Sequence, residues 1–193
     1  MPEAVETQRP MRSDARRNRE RIIAAARELF ASDQTDVQVD DVARRAGVGV
    51  GTLYRHFPDK EALMGELVRE RFELFNARLR EALADTSGDA FAVLADALRD
   101  NAAGVADDAA TRFALLAGGE RVFAHAAAQV EEFMAMTREL VERAQRAGQL
   151  RGDFIAEDVP MLMCGVCATS AKRAAGWDWR RQLELILDGM RAA

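Results

Sequence analysis

Long apolar runs are missing from this 193-residue sequence, and cysteine is scarce. No stretch of about 18 or more apolar residues occurs, which excludes a membrane-spanning helix. The first residues mix acids, prolines and arginines, so they do not form the apolar core of a secretory signal. The two cysteines, Cys164 and Cys167, share one apolar segment and do not form a disulfide framework. We therefore expect a reduced, cytoplasmic protein without membrane contact.

Motifs for catalysis and metal binding are also missing. No Ser/His/Asp set, paired-carboxylate motif, phosphate loop or Gly-x-Gly-x-x-Gly occurs, so an enzyme is not supported. His125 stands alone in an alanine-rich segment, which argues against a metal site. Cys164 and Cys167 have the Cys-x-x-Cys spacing of redox and metal sites, but no βαβ pattern or second ligand pair accompanies them. Core packing is the favoured interpretation, and we expect no cofactor.

Charge is distributed unevenly along the chain. The net charge of −5, taken whole, argues mildly against nucleic-acid binding. Residues 9–60, however, carry 11 Lys+Arg against 8 Asp+Glu, a balance of +3, and residues 61–193 carry 16 against 22, a balance of −6. Glu3 and Glu6 supply the remaining −2. The basic surplus therefore lies near the N-terminus, and the acidic remainder would keep the wrong face of the protein off phosphates.

Apolar residues recur at helical spacing along most of the chain, without β-hairpin signals or internal repeats. The pattern predicts an all-α fold of about nine helices, with a flexible arm over residues 1–14 and a domain boundary along the fourth helix. The expected helices cover residues 14–31, 40–46, 50–57, 59–84, 91–103, 108–116, 121–147, 158–175 and 179–190.

The segment Gln38–Lys60, QVDDVARRAGVGVGTLYRHFPDK, has the pattern of two short helices joined by a glycine turn. Gly47 stands where a helix ends in a left-handed residue, and Pro58 stops the second helix. Leu53 and Phe57 are four residues apart, so they would pack inward together. The side chains left to face outward are Thr52, Tyr54, Arg55 and His56. A helix–turn–helix of this kind places its second helix in the DNA major groove.

AGVGVGTLYRHFPDKEAL resembles the DNA-binding signature of the TetR family of bacterial transcriptional repressors. The shared pattern is Ala-Gly-Val, two variable residues, Gly-Thr-Leu-Tyr, one variable residue, an aromatic residue or histidine, Phe, and a downstream Lys. The upstream RRNRERIIAAARELFASD resembles the family's first helix. The resemblance implies a three-helix DNA-binding head over residues 15–75, with its motif at about 38–57. A helical domain for effector binding and dimerisation would follow over residues 76–193.

Three residues would hold the DNA backbone if the resemblance extends to contacts. Tyr54 matches the family's tyrosine that reaches the backbone, and its alternative is a half-buried core tyrosine. Lys60 matches the phosphate-gripping lysine, at a helix N-terminus that itself favours an anion. His56 is placed to contact a phosphate or a base, and its alternative is a surface histidine without such a role.

Four residues of the second helix would approach the bases. Arg55 could bind guanine through two hydrogen bonds, and the methyl group of Thr52 could meet thymine. Val50 and Gly51 fall where the family also approaches bases, and they would act by shape or methyl contact. Because this helix is barely two turns long, specific binding implies a symmetric dimer on a palindromic operator.

Other charged residues of the head have competing interpretations. Asp40 and Asp41 precede Arg44 and Arg45 by four residues, which favours solvated ion pairs within one helix over DNA contacts. Phosphate contact and a solvated face are equally favoured for Arg12, Arg16, Arg17 and Arg19.

Three positions depart from the family pattern. Gln34 replaces a glycine after the first helix, Gln38 replaces a hydroxyl N-cap, and Gly49 replaces the Ser or Thr that opens the second motif helix. Glutamine is a poor cap and glycine a tolerable one, so we expect a somewhat looser head.

Methionine and aromatic residues are frequent in the C-terminal half. They suit a pocket for a bulky apolar ligand, although core packing and a dimer interface explain the same residues at least as often. The candidate pocket residues are Phe113, Phe123, Phe133, Met134, Met163 and Trp177. The last two helices, rich in Leu, Ile, Met and Trp, are expected to form a four-helix dimer interface.

The sequence therefore predicts a homodimeric repressor that a small apolar or aromatic effector releases from a double-stranded DNA operator. One alternative is an all-α protein that sequesters a small molecule and uses no DNA. Another is a DNA-organising protein without an effector. The Gly-Thr-Leu-Tyr-x-His-Phe run favours DNA binding.

Overall fold

The computed structural model of the chain describes residues 9–32, 37–84, 88–172 and 176–192, with side chains from residue 13 onward. These residues form ten α-helices and no sheet, which confirms the all-α class and exceeds the expected number of helices by one. The helices are α1 (Arg9–Phe30), α2 (Val39–Ala46), α3 (Val50–His56), α4 (Lys60–Ala84), α5 (Ala90–Asp107), α6 (Ala109–Ala117), α7 (Glu120–Ala124), α8 (Ala127–Arg146), α9 (Asp158–Ala171) and α10 (Trp179–Met190).

Several helix boundaries differ from the sequence-based expectation, and α5 for example extends to Asp107 instead of residue 103. α1 begins at Arg9, inside the segment expected to be a flexible arm. The expected helix over 121–147 is two helices, α7 and α8, because Ala126 has φ −113° and ψ 14° and leaves helical geometry. Four expectations fall wholly or partly outside the described residues: the first eight residues of the arm, Gln34, the break at 85–87 and a helix end at Ala175.

The first of two apolar cores lies beneath α1, α2, α3 and the first half of α4. Ile22, Val42 and Leu53 are fully buried in it. α6 and α7 complete this core, with Ala114 of α6 and Val122 of α7 buried among the same residues. The head therefore packs with residues that the sequence pattern assigns to the C-terminal domain, and the boundary at residue 75 stays a prediction.

The second core joins the remaining half of α4 to α5, α8, α9 and α10. Phe91, Leu94 and Leu140 are its most deeply buried large side chains. An isolated antiparallel bridge pairs Leu150, after α8, with Arg191 at the end of α10. α4 spans both cores, so any tilt of its N-terminal half against the body moves the head.

Candidate DNA-binding surface and ligand cavity

The turn between α2 and α3 has the geometry expected from its glycine. Gly47 has φ 63° and ψ 39°, the left-handed conformation that suits a residue without a side chain. The N–H of Val48 donates to the carbonyl of Ala43 over 3.1 Å, which closes the helix end. Arg21 of α1 donates to the carbonyl of Gly47 over 2.8 Å. The turn is thereby fixed against the first helix.

The start of α2 is better capped than the glutamine predicts. The carboxylate of Asp41 accepts the backbone N–H of Gln38 over 3.1 Å, so a side chain inside the helix satisfies that group. The expectation of a poorly capped helix was therefore wrong. Gly49 precedes α3 in an extended conformation and offers no side-chain cap.

Leu53 of α3 and Phe57, which follows the helix, turn inward, and the other side chains of α3 are exposed or half-buried. Leu53 is fully buried and Phe57 is 4% exposed. Tyr54 is 46% exposed, so it is not a core tyrosine, and Val50 is also exposed. The Nε of Arg55 donates to the carbonyl of Gly51 over 3.1 Å, which leaves the exposed guanidinium along the helix. The two remaining candidates, Thr52 and His56, are half-buried.

Lys60 is half-buried where the head meets α6. Its Nζ lies 5.8 Å from the ring centroid of Phe30 and 5.9 Å from that of Phe113, two rings that stack 5.6 Å apart. Such contacts are attractive cation–π interactions. Phe113 therefore packs against the head, which corrects its assignment to the ligand pocket. Asp59 caps α4 as expected, since it accepts the N–H of Ala62 over 2.8 Å.

The arginines before α3 are engaged in ion pairs, but not with the predicted partners. Arg44 contacts Asp41 over 2.9 Å, three residues away, and Arg45 donates to Glu28 of α1 over 2.6 Å. The i,i+4 pairing was wrong, whereas their engagement in ion pairs with neighbouring acids is confirmed. On α1 the pairs are Arg16 with Glu20, Arg17 with Asp14 and Arg19 with Glu66. The side chain of Arg12 lies outside the described residues.

Glu66 is a buried carboxylate between α1 and α4. It lies 2.6 Å from Arg19 and 2.6 Å from Arg69. Burial alone would raise the pKa of Glu66, but the hydrogen bonds from the two arginines lower it overall. Glu66 is therefore ionised at neutral pH and ties the first helix of the head to α4.

A cavity of about 350 Å³ lies between α4, α5, α6, α7, α8 and α9. Four of the predicted pocket residues line it, namely Phe123, Phe133, Met134 and Met163. Trp177 does not, because it is 55% exposed and its ring faces the Nζ of Lys172 at 5.3 Å. That assignment was wrong. Whether the four lining residues contact a ligand stays a prediction.

Both cysteines line the cavity, which the sequence did not indicate. Cys167 is buried, and burial together with the neighbouring Cys164 raises the pKa of its thiol to about 11. A thiol with such a pKa is protonated and weakly nucleophilic at neutral pH. Cys164 is exposed, so the expectation that both cysteines pack in the core holds only for Cys167.

α6 contributes to both the cavity and the head. Leu115 and Leu116 line the cavity, while Ala110 and Ala114 are buried in the core of the head. The carboxylate of Asp108 caps α6 by accepting the N–H of Thr111 over 3.0 Å. The guanidinium of Arg27 bridges this end to the rest of the head, donating to Asp108 over 2.6 Å and to Glu70 of α4 over 2.7 Å.

α3 is the exposed helix of a helix–turn–helix, and the helices behind it enclose an apolar cavity. These two features are typical of a DNA-binding regulator. Comparison with known families agrees. The family described as bacterial regulatory proteins, tetR family, matches residues 22–67, and the C-terminal domain of SbtR-like transcriptional regulators matches residues 89–192. The chain belongs to the TetR family of transcriptional regulators, which are DNA-binding proteins and not enzymes.

Individual relatives support the same assignment. A TetR regulator from Mycobacterium vanbaalenii is 33% identical, with a TM-score of 0.57 over 95% of this chain and 100% of that one. SCO0520 from Streptomyces coelicolor is 28% identical, with a TM-score of 0.57 over 91% and 99%. The HTH-type transcriptional regulator SAUSA300_2515 from Staphylococcus aureus is 34% identical over 76 residues, 39% of this chain and 41% of its own length. The chain thus matches less than half the length of that curated relative.

None of the helices in the described part of the chain is both long and apolar enough to cross a membrane.

Proposed function

We propose that the chain is a repressor that binds a palindromic DNA operator as a homodimer and leaves it when a small apolar or aromatic molecule fills the cavity. The observation that carries this proposal is the double role of α6. One side of this helix forms part of the cavity wall, and another side is buried in the head. A ligand that displaces Leu115 or Leu116 would therefore act directly on the packing of the DNA-binding helices.

The operator would be read by the outward side of α3. Val50, Tyr54 and Arg55 are exposed there, and no acidic residue lies within Val50–His56. The proposed DNA contacts are Val50, Gly51, Thr52, Tyr54, Arg55, His56 and Lys60. For Lys60 the proposal requires the side chain to leave the rings of Phe30 and Phe113 and turn to a phosphate.

The ligand would shift an equilibrium between two positions of the heads. It can do so only through its different affinity for the two states. In this structure, Arg27 holds α1, α4 and the start of α6 together through Glu70 and Asp108. Movement of α6 towards or away from the ligand would alter this bridge and tilt α4, which would take the two heads out of register with successive major grooves.

Footprinting and gel retardation on the intergenic DNA upstream of the gene test the DNA-binding part. The wild-type protein should protect a palindromic site, with an affinity that falls steeply as salt is added. The double variant Tyr54→Phe with Lys60→Ala and the single variant Arg55→Ala should each weaken binding by about tenfold or more. Arg44→Ala is the matched control, since this exposed arginine is held by Asp41 and should retain binding.

Normal retardation by the Tyr54→Phe, Lys60→Ala protein would contradict the contact assignment. Absence of any protected site, together with tight binding of small apolar molecules, would favour the alternative of a sequestering protein.

A further inference from the structure

Arg71 of α4 is a buried cation without a counter-ion. Its side chain is 8% exposed, and its guanidinium carbon lies 4.0 Å from the ring centroid of Phe75. The Nη2 atom donates to the backbone carbonyl of Asn101 over 3.2 Å, whereas Nε is buried and has no hydrogen-bond partner. Within the described residues no carboxylate forms an ion pair with it.

The surroundings of Arg71 are shaped to hold the guanidinium in this place. A Cβ atom on Gly104 of α5 would lie 1.7 Å from Nη2, so α5 can approach this closely only because residue 104 has no side chain. Burial and the like charge of Arg78 lower the pKa of Arg71 to about 10, which still leaves it charged at neutral pH. Burying a charge without a partner is costly. The charge of Asp108 acts favourably on Arg71 but forms no ion pair with it, so an anion beside the guanidinium would stabilise the site.

The guanidinium lies directly behind one wall of the cavity. Both of its closest partners, Phe75 and Asn101, line that cavity. Asn101 is the one polar amide among the lining residues, and its side chain makes no hydrogen bond to the described part of the protein. All other lining side chains are apolar or are thiols. The cavity thus has an apolar body and a single polar corner, with a cation behind that corner.

We infer that the ligand of this cavity is an amphipathic monoanion, an apolar body that carries one carboxylate-like group. The anionic group would accept hydrogen bonds from the Asn101 amide, and its charge would lie near the buried guanidinium of Arg71, which contacts two lining residues without lining the cavity itself. A single carboxylate-like group matches the one polar amide side chain, Asn101, that lines the cavity. The inference rests on the proposed function, because it names the chemical class of the molecule to which the repressor responds.

The test compares straight-chain acids with alcohols of equal length, so that only the charged group differs. Octanoate, decanoate, dodecanoate and tetradecanoate, with the matching alcohols, are titrated into the full-length protein at neutral pH by calorimetry. Concentrations stay below those at which the acids form micelles. At least one acid should bind about tenfold more tightly than its alcohol, since hydrogen bonds to charged groups are stronger than neutral ones.

Arg71→Met and Arg78→Met form a matched pair of variants on the same helix. Arg71→Met should abolish the preference for the acid while alcohol binding persists, and the persisting binding shows that the cavity is intact. Arg78, 55% exposed beside Asp100, should be replaceable without loss of the preference.

Equal binding of acid and alcohol to the wild-type protein would overturn the inference, whether or not either variant folds. An undiminished preference in Arg71→Met would overturn it too. If neither series binds at any length, the inference is overturned, whereas the proposed DNA-binding function is judged separately by protection of the operator.

Discussion

Gly47 and Gly51 are four residues apart in the same motif but meet different constraints. Gly47 has φ 63°, and a Cβ atom there would lie 2.7 Å from the Nη2 of Arg21. Gly51 is helical, and nothing lies within 4 Å of the position of its missing Cβ. Residue type alone does not separate the two glycines. Backbone geometry does.

Gly47→Ala should therefore lower the free energy of unfolding by about 1–2 kcal/mol, since it places a side chain in the left-handed region and displaces Arg21. Gly51→Ala is the control and should leave stability unchanged or raise it by up to about 1 kcal/mol, because alanine is the better helix former. Urea denaturation of both variants measures the difference. Equal stability of the two variants would show that the turn tolerates a side chain.

Individual residues also show which positions could be predicted from the sequence and which could not. Outward Tyr54 and inward Leu53 followed from helical spacing, because both positions are set within one short helix. Phe113 was misplaced, because an aromatic side chain indicates burial without indicating which core receives it. Trp177 was misplaced because it is 55% exposed and belongs to neither core. Arg71 was missed, although its position four residues before Phe75 places it on the same buried side of α4.

At the scale of elements, the break between α7 and α8 has no local signal. The sequence around it, FAHAAAQV, contains no glycine or proline and reads as continuous helix. A close contact with another helix accompanies the break. At Gly65 of α4 a Cβ atom would lie 2.5 Å from the Cβ of His125. The turn between α7 and α8 therefore packs against α4 at a position without a side chain. The boundary thus coincides with a contact between distant segments, and single-helix patterns cannot contain that information.

The Glu66 ion pairs should make the α1–α4 contact sensitive to acid. The folded pKa of Glu66 lies below its ordinary value of 4.5. Its contribution to stability is therefore fully present above about pH 4.5 and is lost as the pH falls through the folded pKa. Glu66→Gln should lower the free energy of unfolding by about 1–3 kcal/mol at neutral pH, since two arginines lose a partner. The difference in the free energy of unfolding between Glu66→Gln and the wild type should become smaller at lower pH.

Urea titrations from neutral pH down to about pH 3.5, across the ordinary carboxylate range, measure this difference. Glu20→Gln is the control, because this exposed carboxylate pairs with Arg16 at the surface of α1 and should matter little at any pH. If the difference in the free energy of unfolding between Glu66→Gln and the wild type stays constant with pH, the destabilisation arises from packing and not from charge.

For the whole molecule, the order of the helices could be predicted from the sequence, but the way in which the two cores share them could not. Residues 15–75 looked like an independent head, yet Ala110, Ala114 and Val122 complete its core. The family pattern ends before these positions, and small apolar residues carry no mark of their partner. Under the proposed function, this shared packing would let a ligand in the cavity act on the head more directly than two separate cores joined by α4 alone.

Dimerisation is the remaining requirement at this scale. α9 and α10 expose large apolar side chains, with Met161 at 66% and Leu185 at 56%. The double variant Met161→Glu with Leu185→Glu should convert a dimer, twice the 21.3 kDa chain, into a monomer, because it would bury unpaired charges in the interface. Operator affinity should fall by about tenfold or more, since a single α3 reads only half of the site.

Light scattering after size exclusion measures the mass, and gel retardation measures the affinity. Leu74→Glu is the matched control, because Leu74 of α4 is equally apolar and 57% exposed but lies outside the proposed interface. It should change neither mass nor affinity. If the double variant stays dimeric while Leu74→Glu becomes monomeric, the interface lies along α4. A ligand that tilts α4 would then act on the contact between subunits as well as on the heads.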